Sequence, residues 1–191
     1  MDIILICHLP TKDDWEGLLP GKKDRKIVSP AEEDKMVIQQ NKMILKKLPR
    51  PDLVLTGTSK RTKETADLYG YKDPQEEPLL DELDFGPFSR EEKKDFLEEV
   101  GVQWFTNPKR TELGPAVEEL EKRILDFLEK YEAHDCLLIF GHPFWIQALL
   151  SYVRLGHIIG MNIQSVKHNE LVHLQIEQDI ENEEKMEEER T

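Results

Sequence analysis

The sequence has few cysteines, since only Cys7 and Cys136 occur among 191 residues. A chain of this length buries roughly 70% of the surface that its unfolded form exposes, so it needs no disulfide or structural metal. Each cysteine borders an apolar run, and we predict that these runs are neighbouring parallel strands. The cysteines then lie at opposite strand ends, roughly 16 Å apart, whereas a disulfide needs Cα atoms within about 7 Å. We therefore expect two free thiols in a reducing compartment.

Long apolar runs and an excess of basic residues are also missing. No run approaches the ~18 residues of a membrane span, and no signal peptide opens the sequence. We therefore expect a cytoplasmic protein without a membrane partner. The formal net charge is −13 and no basic stripe is present, which argues against a nucleic-acid partner.

The acidic charge is unevenly distributed along the chain. Residues 177–191 contain eight acidic and two basic residues and almost no apolar ones. We predict an acidic C-terminal tail there, following a single domain at 1–176. The abundance of Glu and Lys elsewhere is compatible with two interpretations, a thermostable protein with surface ion-pair networks or a mesophilic protein with a polar surface.

Short apolar runs at 3–6, 53–55 and 136–140 are typical of strands buried on both faces of a sheet. Helical patterns separate these runs, and residues 171–176 alternate in polarity like a half-exposed edge strand. Buried strands that alternate with amphipathic helices predict a three-layer α/β fold. Its mainly parallel sheet would carry helices on both faces.

Capping patterns predict where the helices begin. Ser29 precedes a proline and a glutamate, which favours a helix from there to about Leu48 with Val37 and Ile44 on its inner face. Ser89 opens a second such pattern.

Two histidines occupy equivalent positions after predicted buried strands. His8 follows the first strand, His142 follows the third, and the second strand leads through a polar loop to Arg61. Ligands of open α/β sheets bind beyond the carboxyl ends of the strands, so these side chains should converge. Arg binds phosphoryl oxygens with two hydrogen bonds, and helix N-termini favour anions. The pattern therefore predicts a phosphate site.

Four sequence motifs add a resemblance to a known family. They are Cys7-His8-Leu9 with Thr11, Arg61-Thr62-Lys63-Glu64-Thr65-Ala66, Glu82-Leu83-Asp84-Phe85-Gly86 and Leu137-Leu138-Ile139-Phe140-Gly141-His142-Pro143. The chain thereby resembles the histidine phosphatase superfamily, which is phosphoglycerate mutase-like. There the motifs read Arg-His-Gly, Arg-Ala-x-x-Thr-Ala, Glu ahead of Phe-Gly, and a strand ending in His-Gly. The resemblance extends from residue 3 to about residue 176.

The resemblance implies a role for each matching residue. His8 would attack phosphorus and form phosphohistidine, while Arg61 and His142 neutralise charge on the phosphoryl oxygens. Glu82 would transfer the proton to the leaving group. The substrate-binding set would comprise Cys7, Thr11, Pro143 and His168. The substrate would be a small phosphorylated metabolite, and the reaction would need no metal and no organic cofactor.

The sequence departs from the family motif around the nucleophile. Cys7 replaces the Arg that precedes it, Leu9 replaces the following Gly, and Pro143 replaces the Gly after the second His. The missing Arg normally helps to hold phosphate. Replacement charge could come from basic residues of the first loop, namely Lys12, Lys22, Lys23 or Arg25.

These departures leave alternatives open. The first is a degenerate family member that binds phosphate compounds or a partner without turnover. Others are an activated thiol at Cys7 and a zinc site on Cys7, His8 and His142. The family also contains mutases, but these tend to be longer chains, so hydrolysis fits this compact sequence better. Residues 9–28 and 71–115 should form the pocket wall.

Overall fold

The computed structural model of the protein describes residues 1–20 and 24–176. The predicted acidic tail lies outside the described residues, as do Lys22 and Lys23, and the domain boundary at residue 176 stays a prediction. Within the described part of the chain, no helix is long and apolar enough to cross a membrane.

Five strands form one sheet. They are β1 (Asp2–Cys7), β2 (Leu53–Thr56), β3 (Gln75–Glu76), β4 (Cys136–Gly141) and β5 (Leu171–Gln175). Their order across the sheet is β3-β2-β4-β1-β5. All neighbouring pairs are parallel except β1 with β5. Asp2 pairs with Cys136 and Cys7 with Gly141, so the two free, buried cysteines lie at opposite ends of adjacent strands, as predicted.

Seven helices accompany the sheet in the described residues. They are α1 (Lys12–Trp15), α2 (Glu32–Leu45), α3 (Lys60–Tyr69), α4 (Lys93–Val100), α5 (Gln103–Thr106), α6 (Gly114–Lys130) and α7 (Pro143–Leu155). Alternate residues of β1 enter two hydrophobic clusters: Ile4 and Ile6 pack with α2 and α3, whereas Ile3 and Leu5 pack with α6 and α7. This confirms the three-layer α/β fold with helices on both faces.

Helix α2 differs from the prediction at both ends. It begins after Ala31 rather than Ser29, because the side chain of Asp34 accepts a hydrogen bond from the Ala31 N–H at 2.9 Å. Its buried face carries Ile38 instead of Ile44, which is 43% exposed. The helix ends at Leu45 rather than at about Leu48.

Ser89 does not begin a helix, which contradicts the capping pattern. It ends a short 3₁₀ turn, and α4 starts only at Lys93. The intervening residues bind the first loop: the Leu19 N–H donates to Glu91 O at 2.8 Å, and the Arg90 N–H donates to Leu19 O at 3.2 Å. This tertiary pairing prevails over the local propensity.

Helix α1 lies within the predicted first loop. The Asp14 N–H donates to Thr11 Oγ1 at 3.4 Å, and the Thr11 N–H donates to Asp14 Oδ2 at 2.8 Å. Thr-x-x-Asp at 11–14 is a capping-box pattern, so the sequence carried a signal for this helix that the loop prediction missed.

Candidate active site

His8 lies immediately after β1 and is 3% exposed. Its Nδ1 is 2.7 Å from the carbonyl oxygen of Leu9. Because a carbonyl only accepts, Nδ1 carries the proton and the lone pair resides on Nε2, which accepts from Arg61 Nε at 3.3 Å. Burial, followed by the charge of Arg61, lowers the pKa of His8 to about 3. The ring is therefore neutral at pH 7.

Arg61 reaches this point from the first turn of α3, the helix that follows β2. Thr65, one turn further on, fixes the helix against the loop after His8. Its hydroxyl donates to Arg61 O at 2.7 Å and accepts from the Leu9 N–H at 3.0 Å. Although Leu9 replaces the family's Gly, its side chain is buried in the core between α2 and α3.

His142 lies at the N-terminus of α7 and is 1% exposed. Its ring centroid is 5.2 Å from that of His8, nearly edge to face. Nε2 is 3.2 Å from Ser59 Oγ, whereas Nδ1 has no hydrogen-bond partner among the described residues. Burial and the charge of Arg61 hold the pKa of His142 well below its ordinary value. The cationic His142 implied by the resemblance is thus disfavoured, and the ring can act as a neutral donor.

Position 57 lies close against His142. A Cβ atom at Gly57 would lie 3.1 Å from His142 Nε2 and 3.1 Å from Asp81 Oδ1. These distances are tighter than ordinary van der Waals contacts, so a side chain here would have to displace the His142 ring or the Asp81 carboxylate by a few tenths of an ångström.

Glu82 lies against the N-terminus of α7. Its carboxylate accepts the N–H groups of Leu83 at 3.0 Å, Trp145 at 3.2 Å and Phe144 at 3.4 Å. Burial raises the pKa of Glu82, and this outweighs the lowering by these bonds and by Arg61. A fixed carboxyl group with a raised pKa suits proton transfer.

Cys7 does not line the site. Its side chain is fully buried in the core cluster that includes residues of α6 and α7. Burial raises the pKa of the Cys7 thiol well above its ordinary value, and the carboxylates of Glu82 and Asp14 raise it further. The thiolate needed for a cysteine nucleophile is therefore disfavoured.

The other predicted residues border a single cleft. It comprises two cavities of about 170 and 330 Å³, which share Pro20, Arg61 and Glu82. The first cavity is also lined by His8, Thr11, Pro143 and His168, and the second by His142. Of the residues predicted for substrate binding, Cys7 alone lies outside this lining.

Two cations besides Arg61 line the first cavity, Arg25 and Lys93. Arg25 Nε donates to Asp13 Oδ2 at 3.0 Å. Lys12 instead pairs with Glu16 and its side chain is 76% exposed, so of the described candidates for replacement charge the structure places Arg25 at the site. Lys93 belongs to α4 and carries no motif, which is why sequence reasoning missed it.

Asp14 and His168 form a further pair beside His8. His168 Nδ1 lies 3.0 Å from His8 O, and its Nε2 lies 3.4 Å from Asp14 Oδ1. Burial alone would raise the pKa of Asp14, but the hydrogen bond and charge of His168 hold it well below its ordinary range. Among the described residues, His8, Asp14 and His168 are the side chains grouped closely enough to share a metal ion. The alternative zinc set of Cys7, His8 and His142 is not such a group.

A model of the histidine phosphatase superfamily, branch 1, matches residues 3–186 of this chain. The chain belongs to this superfamily. The match continues beyond the described residues into the acidic segment. No curated protein sequence matches the chain.

Solved structures share the superfamily fold. The alpha-ribazole phosphatase of Shigella flexneri has a TM-score of 0.71 at 21% identity, with 93% of this chain and 92% of that one covered. A mycobacterial glucosyl-3-phosphoglycerate phosphatase has a TM-score of 0.72 at 13% sequence identity, with 91% of this chain and 89% of that one covered. A phosphoserine phosphatase of Entamoeba histolytica, solved with 3-phosphoglyceric acid, has a TM-score of 0.70 at 15% sequence identity, with 90% of this chain and 89% of that one covered.

Proposed function

We propose that this superfamily member is a phosphomonoester hydrolase that acts through a phosphohistidine on His8. The observation that carries the proposal is the fixed orientation of His8. Its Nδ1 proton is committed to Leu9 O, so Nε2 presents a lone pair to the cleft beside Arg61. A neutral imidazole with that geometry is a nucleophile ready for in-line attack on phosphorus.

The first step transfers the phosphoryl group to the enzyme. His8 Nε2 forms a bond to phosphorus as the bond to the leaving oxygen breaks. Arg61 and the Nδ1–H of His142 donate to the equatorial oxygens, where charge accumulates in the transition state. This use gives the buried Nδ1 of His142 a hydrogen-bond partner, since it has none among the described residues.

Glu82 supplies the proton that the leaving oxygen needs. Burial raises the pKa of Glu82 and so favours its protonated form, and the leaving group departs as an alcohol. The resulting carboxylate then takes a proton from water as the water oxygen attacks phosphohistidine. The second step releases inorganic phosphate and restores both His8 and the protonated Glu82.

Charge lost with the family's Arg is supplied in this proposal by Arg25 and Lys93, which reach the same cavity from the first loop and from α4. The substrate is a small phosphorylated metabolite. The structural neighbours include alpha-ribazole, glucosyl-3-phosphoglycerate and phosphoserine phosphatases, which supports that class.

The test is release of inorganic phosphate from generic phosphomonoesters in buffer containing EDTA. We expect turnover by the full chain, at least 100-fold less by His8→Ala, and unchanged turnover by His134→Ala, a control at a histidine paired with Asp52 away from the cleft. Binding of vanadate, followed by thermal shift, without any turnover would contradict hydrolysis and favour the degenerate binder.

A further inference from the structure

Three side chains that can ligate a metal lie together in the lining of the first cavity. One ligand atom from each of His8, Asp14 and His168 lies within 4.8 Å of the other two. His168 Nε2 and Asp14 Oδ1 are 3.4 Å apart. Zn–N and Zn–O bonds of about 2.0–2.1 Å place the ligand atoms of a tetrahedral site about 3.3 Å apart. One pair thus already has the required spacing, and a small adjustment of His8 would complete a three-ligand site.

Both imidazoles are oriented for a metal by hydrogen bonds from their other nitrogen. His8 Nδ1 is bound to Leu9 O at 2.7 Å, and His168 Nδ1 to His8 O at 3.0 Å. Each Nε2 is thereby left as the nitrogen that can ligate, the arrangement that fixes ligating histidines in metalloproteins. A metal ion would replace the hydrogen bond from Arg61 at His8 Nε2 and the proton between His168 Nε2 and Asp14. Asp14 is held likewise, since its Oδ2 accepts from both the N–H and the hydroxyl of Thr11 at 2.8 Å.

The position of His168 is fixed by the residue that follows it. Asn169 is 2% exposed and adopts a left-handed φ of 62°. Its N–H donates to Cys7 O at 3.1 Å, its Oδ1 accepts from Tyr69 at 2.7 Å, and its Nδ2 donates to Asp34 O at 3.1 Å. Contacts to a strand and two helices hold this loop, so the imidazole is presented by a rigid part of the fold.

The charges that line the first cavity do not oppose a bound cation. Three carboxylates, Asp13, Asp14 and Glu82, line the first cavity together with the cations Arg25, Arg61 and Lys93. Asp14 is the carboxylate closest to the two imidazoles. Arg61, which donates to His8 Nε2, is the cation that a bound metal would have to displace.

We propose that His8, Asp14 and His168 form a site for a divalent transition-metal ion of the zinc class, and that this ion competes with phosphoryl groups for His8. Two imidazole nitrogens and one carboxylate oxygen suit zinc, whereas magnesium and calcium prefer oxygen ligands. An ion on Nε2 occupies the lone pair that would attack phosphorus, so the metal inhibits. The inhibition rests on the proposed hydrolase function; the binding of the metal does not.

The direct test is calorimetric titration of the full chain with Zn²⁺ in phosphate-free buffer. We expect one ion per chain. Asp14→Asn, which keeps an acceptor for Thr11, and His168→Gln should each weaken binding by roughly 10- to 100-fold or more, the range seen when only an outer-sphere partner is lost. His134→Gln is the matched control, because His134 faces a carboxylate of Asp52 at 3.3 Å and no third ligand is grouped with this pair in the part of the chain that the structure describes. It should leave the affinity unchanged.

Arg61→Ala separates this site from the phosphate site. Removal of the guanidinium should tighten Zn²⁺ binding while it weakens vanadate binding, and vanadate should displace Zn²⁺ from the unmodified protein. Melting temperatures in EDTA identify variants that lose binding because they unfold. Zn²⁺ affinity that survives both Asp14→Asn and His168→Gln, or that falls in folded Arg61→Ala, overturns the proposal.

The proposed hydrolysis and the proposed Zn²⁺ site can be refuted independently of each other. A chain that binds Zn²⁺ as described but hydrolyses no phosphomonoester supports the metal site and refutes only the proposed hydrolysis. A chain that hydrolyses phosphomonoesters but binds no Zn²⁺ refutes the metal site alone. Where both hold, inhibition by Zn²⁺ should be competitive with substrate and reversed by EDTA.

Discussion

Arg61 Nε lies 3.3 Å from His8 Nε2, although the two residues are 53 positions apart in the chain. The contact joins the carboxyl end of β1 to the first turn of the helix after β2. It places the guanidinium of Arg61 beside the lone pair that we propose attacks phosphorus, so binding and chemistry share one point in the cleft.

The first prediction concerns the covalent intermediate. Enzyme quenched after brief exposure to ³²P-labelled substrate should carry a label that is stable to alkali and labile to acid, as expected of a phosphoramidate. His8→Ala should carry none, and His134→Ala should be labelled normally. Recovery of the label as a thiophosphate on Cys7 would refute the histidine mechanism.

The second prediction concerns the pH dependence of kcat/KM. His8 must be neutral, and its lowered pKa of about 3 means that this requirement fails only as the pH falls towards that value. Glu82 must be protonated, so activity should fall as the pH rises through its raised pKa.

The control for that profile is Glu82→Gln. In this variant the fall in kcat/KM at high pH that is due to Glu82 should disappear. The effect of the ionisation of the substrate phosphate should remain in the profiles of both the variant and the unmodified enzyme. His142→Asn should lower the rate without moving the alkaline limb, because burial and the charge of Arg61 hold the pKa of His142 well below its ordinary value. An alkaline limb that is unchanged in Glu82→Gln argues against Glu82 as the acid.

The third prediction concerns stability against pH. The pKa values of His8 and His142 are lowered in the folded state, whereas unfolded histidine titrates near ~6.5. Between pH 6.5 and about 3 the unfolded chain binds more protons, so stability should be lost as the pH falls through this window. Urea unfolding measures the free energy of unfolding at each pH. In the double variant His8→Asn/His142→Asn this free energy should depend less steeply on pH, whereas His157→Asn, at an exposed histidine, should keep the original dependence.

The fourth prediction concerns the missing Arg. Burial chiefly raises the pKa of the Cys7 thiol, and the carboxylates of Glu82, Asp14 and Glu170 raise it further. A guanidinium at this position would be attracted by the same carboxylates, against the cost of its burial and the charge of Arg61. Cys7→Arg should raise vanadate affinity by roughly tenfold, the worth of one charge-assisted hydrogen bond, while overpacking costs about 1–3 kcal/mol of stability.

Cys7→Met is its control, because it adds volume without charge. It should lower the melting temperature and leave vanadate affinity unchanged. A folded Cys7→Arg with no gain in affinity would mean that Arg25 and Lys93 already supply the lost charge.

The fifth prediction concerns Gly57. A methyl group at this position would press on His142 Nε2 and Asp81 Oδ1, each 3.1 Å away. Gly57→Ala should therefore reduce kcat/KM by roughly tenfold or more, since small displacements of catalytic groups are costly, with little change in melting temperature. Gly141→Ala is the control, since its nearest neighbour would be Ile146 at an ordinary 3.6 Å.

The sequence by itself determined the three central strands, the layer architecture and the meeting of His8, Arg61 and His142. Uninterrupted apolar runs at 3–6, 53–55 and 136–140 allow little besides buried parallel strands. Parallel strands bring their carboxyl ends to one edge. Residues just after those strands, or in the helix that follows, therefore share a site wherever the loops run.

Only the tertiary structure decided which loop residues complete the site. Asp14 and His168 meet although they belong to opposite ends of the chain, because antiparallel pairing of β5 with β1 returns the chain beside the first loop. The same pairing of distant segments overrode the capping pattern at Ser89, where hydrogen bonds to Leu19 hold the backbone out of a helix. It also buried Cys7 in the core cluster that includes residues of α6 and α7. Local sequence encodes strand and helix preference, whereas these contacts depend on where separate loops cross.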